Sequence, residues 1–321
     1  MPASTFEHEL SIWGPGAASP IPPSVPAARA YCRRLATSHY ENFTVVSWLA
    51  PRRLRQHLCN IYAYCRWSDD LADELHNPAR SLELLEWWRG QLRQCSAGDA
   101  RHPVFVALAE TIREFAIPLE PFEDLISAFE QDQRVHEYDT FTDLANYCRR
   151  SANPVGRLVL YLFGQARPEH FIWSDSICTG LQLANFWQDV ARDLDIGRIY
   201  LPGEDCRLFG YSREDLRQRT TNPAFLHLMQ FEVDRTRRFL RPFGDGAPAW
   251  QRFPARQQLP LEMFAGGGLK ILERIEQIGY RVWDERPVVT KSAAARVGVR
   301  SLLNVLRGLL ANLRQPGAGA T

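Results

Sequence analysis

A helical period runs through this chain from residue 28 to residue 314 with almost no competing signal. Apolar side chains recur at i, i+3, i+4 and i+7, and period-2 alternation of branched residues is nearly absent. Nothing between these limits reads as a linker, and no repeat of roughly 20–50 residues is visible. The expected fold is therefore all-α, a single helical domain rather than two. Residues 1–27 form a flexible arm in this reading, because 14–26 are rich in proline and glycine. The helical domain covers 28–290, and 291–321 hold an amphipathic helix and tail.

The punctuation places the helices. Pro51 opens one that runs to about His76, ahead of Asn77-Pro78. Ser81 to Gln94, Val104 to Phe115 and Pro121 to Gln131 follow. Thr140 opens another to Phe163, with a kink at Asn153-Pro154. Pro168 to Asp195 is long and stops at Gly197. Stretches near 201–222 and 242–260 read as irregular, Leu261 to Glu285 as helix, and Ser292 to Arg314 as the last helix.

Charge and cysteine usage narrow the function. A net charge of +1 over 321 residues leaves no basic surplus for nucleic acid. Seven cysteines, an odd number with no C-x-x-C pair, argue against disulfides and a zinc site and for a reducing compartment. The N-terminal stretch carries Glu7 and Glu9 and lacks a signal pattern. The longest apolar run, Leu158 to Phe163, is far short of the ~18 residues that span a bilayer. The expectation is a cytoplasmic protein, at most peripheral to a membrane.

Two polar stripes on otherwise apolar helices carry the chemistry. Tyr62, Arg66, Asp69 and Asp73 follow one another on one face of the first. Gln182, Asn185, Asp189 and Asp193 do the same on the second, with steps of +3, +4 and +4. Carboxylates four residues apart repel each other at a dry site unless a cation joins them. Mg²⁺ suits the pattern, since it takes one or two carboxylates with waters and substrate phosphate oxygens. Two such stripes facing each other would hold Mg²⁺ ions against a diphosphate leaving group. Gly197 can end the second helix in the left-handed conformation, which brings Arg198 and Tyr200 close to the metal site.

These residues resemble the squalene/phytoene synthase family, the head-to-head prenyl-condensing enzymes. The resemblance covers roughly residues 28–285 and rests on Tyr62 through Asp73, Tyr147-Cys148 through Gly156, and Asn185 through Pro202. It implies the isoprenoid-synthase fold, a single-domain helical bundle around a central active-site cavity, with 28–290 as the catalytic domain, Asp69, Asp73, Asp189 and Asp193 at the metal and Arg66, Asn185 and Arg198 on the diphosphate. Tyr62, Arg66, Asn153 and Tyr200 become the candidate catalytic side chains. Three departures, His39-Tyr40-Glu41-Asn42-Phe43, Ser151-Ala152-Asn153-Pro154 and Gln188, are similar to the hydroxysqualene-forming branch found in bacterial hopanoid pathways. That branch ionises presqualene diphosphate, rearranges the cation and captures it with water. The same resemblance implies handover to other squalene-pathway enzymes.

A carbocation needs apolar, aromatic walls, because ring faces attract positive charge. His39, Phe43, Tyr147 and Phe186 are the candidates for that pocket, with Trp48, Tyr161 and Trp187 as further aromatics. His39 reads more readily as a satisfied core histidine than as a group that holds water. Asn42, Asn153 and Gln188 offer amides that could hold a water. No nicotinamide fingerprint is present; Gly266-Gly267-Gly268 lacks its spacing and reads as a kink or a close helix contact.

The same aspartates would serve a presqualene diphosphate, dehydrosqualene or phytoene synthase joining two prenyl diphosphates. A noncatalytic scaffold would not need both aspartate motifs intact, and a di-iron bundle would need Glu-x-x-His pairs that the chain lacks. In the last helix Arg296, Arg300, Arg307 and Arg314 share one side and the leucines the other. That helix either packs on the domain or lies on a membrane.

Overall fold

The computed structural model describes residues 5–17, 21–38, 50–241 and 255–289. His39, Asn42, Phe43, Trp48 and the amphipathic helix expected after residue 291 lie outside them. The described residues are helical, as expected, and contain no strand beyond one isolated bridge between Glu137 and Ile199. Thirteen helices are described: α1 Thr5–Trp13, α2 Val25–Ser38, α3 Arg52–Asp73, α4 Pro78–Ser96, α5 Pro103–Phe115, α6 Glu120–Asp132, α7 Phe141–Ser151, α8 Asn153–Leu162, α9 Pro168–Asp195, α10 Gly203–Phe209, α11 Arg213–Arg217, α12 Pro223–Leu240 and α13 Ala255–Gln277. The chain groups into two compact units, one of residues 1–135 with 154–170 and one of residues 136–153 with 171–321.

In the first unit α3 is the central element. Leu54, Leu58, Ile61, Tyr64, Trp67 and Leu71 are almost wholly buried, which is the i, i+3, i+4 face of one helix. Trp67 stacks on Trp88 of α4 with ring centroids 5.3 Å apart. The buried polar atoms on this face are paired. Trp88 Nε1 donates to Ser68 Oγ at 2.9 Å, and Tyr64 OH donates to the Phe122 carbonyl at 2.8 Å. Because this face is full, Tyr62, Arg66, Asp69 and Asp73 are left on the less buried side of α3.

The structure differs from the expected N-terminal arm. Residues 5–13 form a helix that buries Phe6 against the edge of Trp67, at 5.1 Å. Tyr31 donates to Glu9 at 2.8 Å and accepts from Trp67 Nε1 at 2.9 Å. The proline- and glycine-rich composition belongs to residues that follow this helix, not to the helix itself.

In the second unit α9 runs alongside α12 and α13 at close range. A side chain on Gly180 or Gly268 would come within 2.9 Å of Leu240, so both positions need glycine for contact. Of the two readings of Gly266–Gly268, the close contact holds for Gly268. Trp187, a candidate pocket aromatic, is instead core: it is fully buried and donates to Thr236 Oγ1 at 2.7 Å. The expected helix from Thr140 to Phe163 is divided at Ala152, whose φ of −118° leaves the helical range. The segment after Pro202 folds into two short helices rather than irregular chain, the second held by a capping box between Ser212 and Asp215. The helix expected to reach Glu285 stops at Gln277, because Gly279 and Tyr280 both take positive φ.

Candidate active site

Each unit carries one aspartate pair on one helix. On α3, Arg66 sits among three acids. It pairs with Asp69 at 3.3 Å, with Asp70 through a short hydrogen bond, and with Glu74 at 4.0 Å. Burial works to lower the Arg66 pKa, but the Asp70 hydrogen bond and the Asp70 and Asp69 charges outweigh it and raise it. Its buried Nε has no protein partner, so a donor remains for an anionic ligand. Tyr62 lies close enough to Arg66 to interact with it electrostatically. Asp70 was not among the sequence candidates. Its i, i+4 spacing from Arg66 was visible, but its burial was not, and burial makes it the stronger partner.

On α9 the stripe ends in an interrupted turn. Asp189 leaves helical geometry, with φ −110° and ψ 15°. Its carboxylate is closed by Arg286, with Nε to Oδ1 at 2.5 Å and Nη2 to Oδ2 at 3.0 Å. Arg192 stands further off, at 3.9 Å. One turn on, Asp193 has a buried Oδ2 with no hydrogen-bond partner. Burial, then the Asp189 charge, push Asp193 up to about 7, and Arg198 opposes them. Asn185 is exposed on the same helix.

Gly197 ends α9 with φ +76°, and Arg198 N–H returns to the Asp193 carbonyl at 2.8 Å. The chain then bridges back, with Ile199 N–H donating to the His136 carbonyl at 2.7 Å. That bridge aims Tyr200 at Phe186. Their rings lie parallel, with centroids 3.8 Å apart and an interplanar angle of 9°. Tyr147 and Tyr138 complete the group, at 6.0 Å and 5.9 Å from Tyr200. Phe186, Asp193, Arg198 and Tyr200 share a small cavity of about 10 Å³, close to the space of one water. Tyr138 was missed because nothing local marks it; only the bridge between Glu137 and Ile199 brings it to the stack.

Two amides expected near a bound water have protein partners. Asn153 is buried, and its Oδ1 accepts from Thr179 Oγ1 at 3.0 Å. Gln188 Nε2 donates to the Pro287 carbonyl at 2.5 Å, so it serves the chain after α13. A larger cavity of about 420 Å³ in the second unit is lined by Tyr138, Leu201, Arg207, Tyr211 and Arg213 among others, and by none of the four candidate metal aspartates.

Among the described residues no group of three or more His, Cys, Asp or Glu side chains could by itself hold a metal ion. Mg²⁺ does not need one, since waters and substrate oxygens complete its shell. The unpartnered Asp193 oxygen beside a second carboxylate is what a cation would satisfy, so the residues fit a divalent metal.

The squalene/phytoene synthase family profile matches residues 36–293. Phytoene synthase of Arthrospira platensis is 32% identical over 274 residues, covering 80% of this chain and 87% of that protein. Hydroxysqualene synthase of Rhodopseudomonas palustris is 34% identical over 216 residues, covering 66% of this chain and 71% of that protein. Among solved structures, squalene synthase HpnC from Alicyclobacillus acidocaldarius superposes with a TM-score of 0.75 at 42% identity, over 81% of this chain and 97% of its own. With both aspartate motifs, the aromatic stack and these similarities in hand, the chain belongs to the squalene/phytoene synthase family of prenyl-diphosphate-processing synthases.

Proposed function

We propose that this enzyme converts presqualene diphosphate and water to hydroxysqualene and diphosphate. The observation that carries the reading is the stack of Tyr200 on Phe186 beside the buried Asp193 Oδ2, which has no hydrogen-bond partner. A cation needs ring faces next to the place where its diphosphate departs. The similarity to the Rhodopseudomonas hydroxysqualene synthase supports the choice of product.

In this reading Asp69, Asp73, Asp189 and Asp193 hold the metal, and Arg66, Asn185 and Arg198 bind the diphosphate. Mg²⁺, when bound, stabilises the negative charge on the departing diphosphate. The carbon–oxygen bond breaks, and its electron pair leaves with diphosphate. Tyr147, Phe186 and Tyr200 form the aromatic wall beside which the cyclopropylcarbinyl cation rearranges. Water forms the new carbon–oxygen bond, and the departed diphosphate can accept its proton. Asn153 stands as the residue that fixes one wall of the water site, with Thr179 holding its carbonyl oxygen. No helix among the described residues is long and apolar enough to cross a membrane. The same reading assigns the protein to the cytoplasm, with peripheral contact at the membrane.

The phytoene synthase relatives favour a second reading, condensation of two prenyl diphosphates. One assay separates them. Purified protein with Mg²⁺ and no NADPH is given presqualene, farnesyl or geranylgeranyl diphosphate in parallel. Hydroxysqualene from presqualene diphosphate, labelled by ¹⁸O water, supports the first reading. Consumption of farnesyl or geranylgeranyl diphosphate with presqualene diphosphate untouched replaces it with the second.

A further inference from the structure

Asp189 belongs to the metal-holding set proposed above, yet both its oxygens are taken by Arg286. The two residues are 97 apart in sequence, so no local rule produces the contact. The grip is doubled one residue away: Gln188 donates to the Pro287 carbonyl, and Pro287 is buried. Trp283 Nε1 donates to Tyr211 OH at 3.1 Å, and Arg274 pairs with Glu285 at 2.8 Å. The backbone on either side of Arg286 is therefore anchored. Its side chain is not: it remains about one-third exposed, while the Asp189 side chain is 13% exposed. A long guanidinium on a fixed backbone, partly in solvent, can swing without unfolding anything.

A divalent ion bridging Asp189 and Asp193 needs at least one Asp189 oxygen in its own shell. Guanidinium and metal then compete for the same carboxylate. We propose that Arg286 is a stand-in cation, which neutralises Asp189 while the metal is absent and gives it up when the metal binds. This rests on the metal role of Asp189 in the proposed function. Arg286 is then a positioning residue that sets how tightly the second aspartate pair takes a metal. It also protects the free enzyme from the repulsion of two neighbouring carboxylates on one helical face.

The test uses full-length protein without substrate and Mn²⁺ as a spectroscopic probe, with free Mn²⁺ counted by electron paramagnetic resonance. Exchange predicts that R286Q binds Mn²⁺ about two- to fivefold more tightly than the wild type, the worth of one partly exposed ion pair converted to affinity. A purely structural role predicts equal or weaker binding, and that result overturns the proposal. A second readout does not depend on the variant folding well. In the wild type, the Arg286 Nε–H resonance, assigned against R286K, should move from an ion-paired toward a free-arginine position on adding Mg²⁺. A resonance that stays in place while Mg²⁺ binds overturns the exchange alone. Failure of Mn²⁺ to bind either protein, with or without inorganic diphosphate, overturns the metal reading and this proposal with it.

Discussion

Tyr200 lies flat on Phe186, with 3.8 Å between ring centroids, and the two residues come from opposite sides of the Gly197 turn. In the proposed function the aromatic ring, rather than the phenol, is what Tyr200 offers to a cation. Tyr200→Phe should therefore keep turnover within about threefold, because the face remains. Tyr200→Ala removes a face worth ~0.5–2 kcal/mol to a nearby cation, so turnover should fall about 2- to 30-fold. Equal losses in both variants, measured under saturating substrate, would move the role to the hydroxyl.

The aspartates should matter more. In the proposed metal site, Asp69→Asn or Asp189→Asn would remove charge that holds the metal against the diphosphate, an effect of several kcal/mol. Activity should drop roughly a hundredfold to a thousandfold, with the helical circular dichroism unchanged. Near-normal turnover of either variant at saturating Mg²⁺ would remove that residue from the metal site.

Asn153 is held by Thr179, and the pair gives a graded test. Asn153→Ala should divert product from alcohol toward eliminated hydrocarbons more than it slows ionisation. Thr179→Val removes only the hydrogen bond, about 1 kcal/mol, and should shift the product ratio the same way by a smaller amount. Chromatography of the products decides it; a constant ratio in both variants separates Asn153 from water capture.

His102 gives the fold a pH dependence away from the site. It is buried among Trp67, Trp88 and Phe105, its Nδ1 accepts from Val104 N–H, and burial lowers its pKa to about 3. The unfolded chain binds a proton near 6.5, so the folded state binds fewer protons between these values. Stability from this group is complete above about pH 6.5 and is lost as pH falls toward 3, by up to about 1.4 kcal/mol per pH unit. His102→Phe should flatten that slope in urea unfolding between pH 6 and pH 4. An unchanged slope would show that another group controls acid unfolding.

Local spacing alone was enough to read the all-helical class, the two aspartate stripes and the turn at Gly197. Each depends on residues three or four apart on one helix, and that geometry is set by the backbone. The neighbour set of α3 was less legible. Arg66 could reach Asp69, Asp70 or Glu74, and burial of Asp70 on the core side selected the strongest pair. Helix α1 was hidden because its amphipathic pattern is short and a proline- and glycine-rich stretch follows it.

The rest was decided by contacts between segments far apart in the chain. Tyr138 reaches Tyr200 through the bridge at Ile199, Asn153 reaches Thr179 across 26 residues, and Arg286 reaches Asp189 across 97. Hydrogen bonds and ring contacts of this kind depend on which helices pack together. Periodicity says which face of a helix turns inward, while the partner it meets there is chosen by the packing of the whole unit.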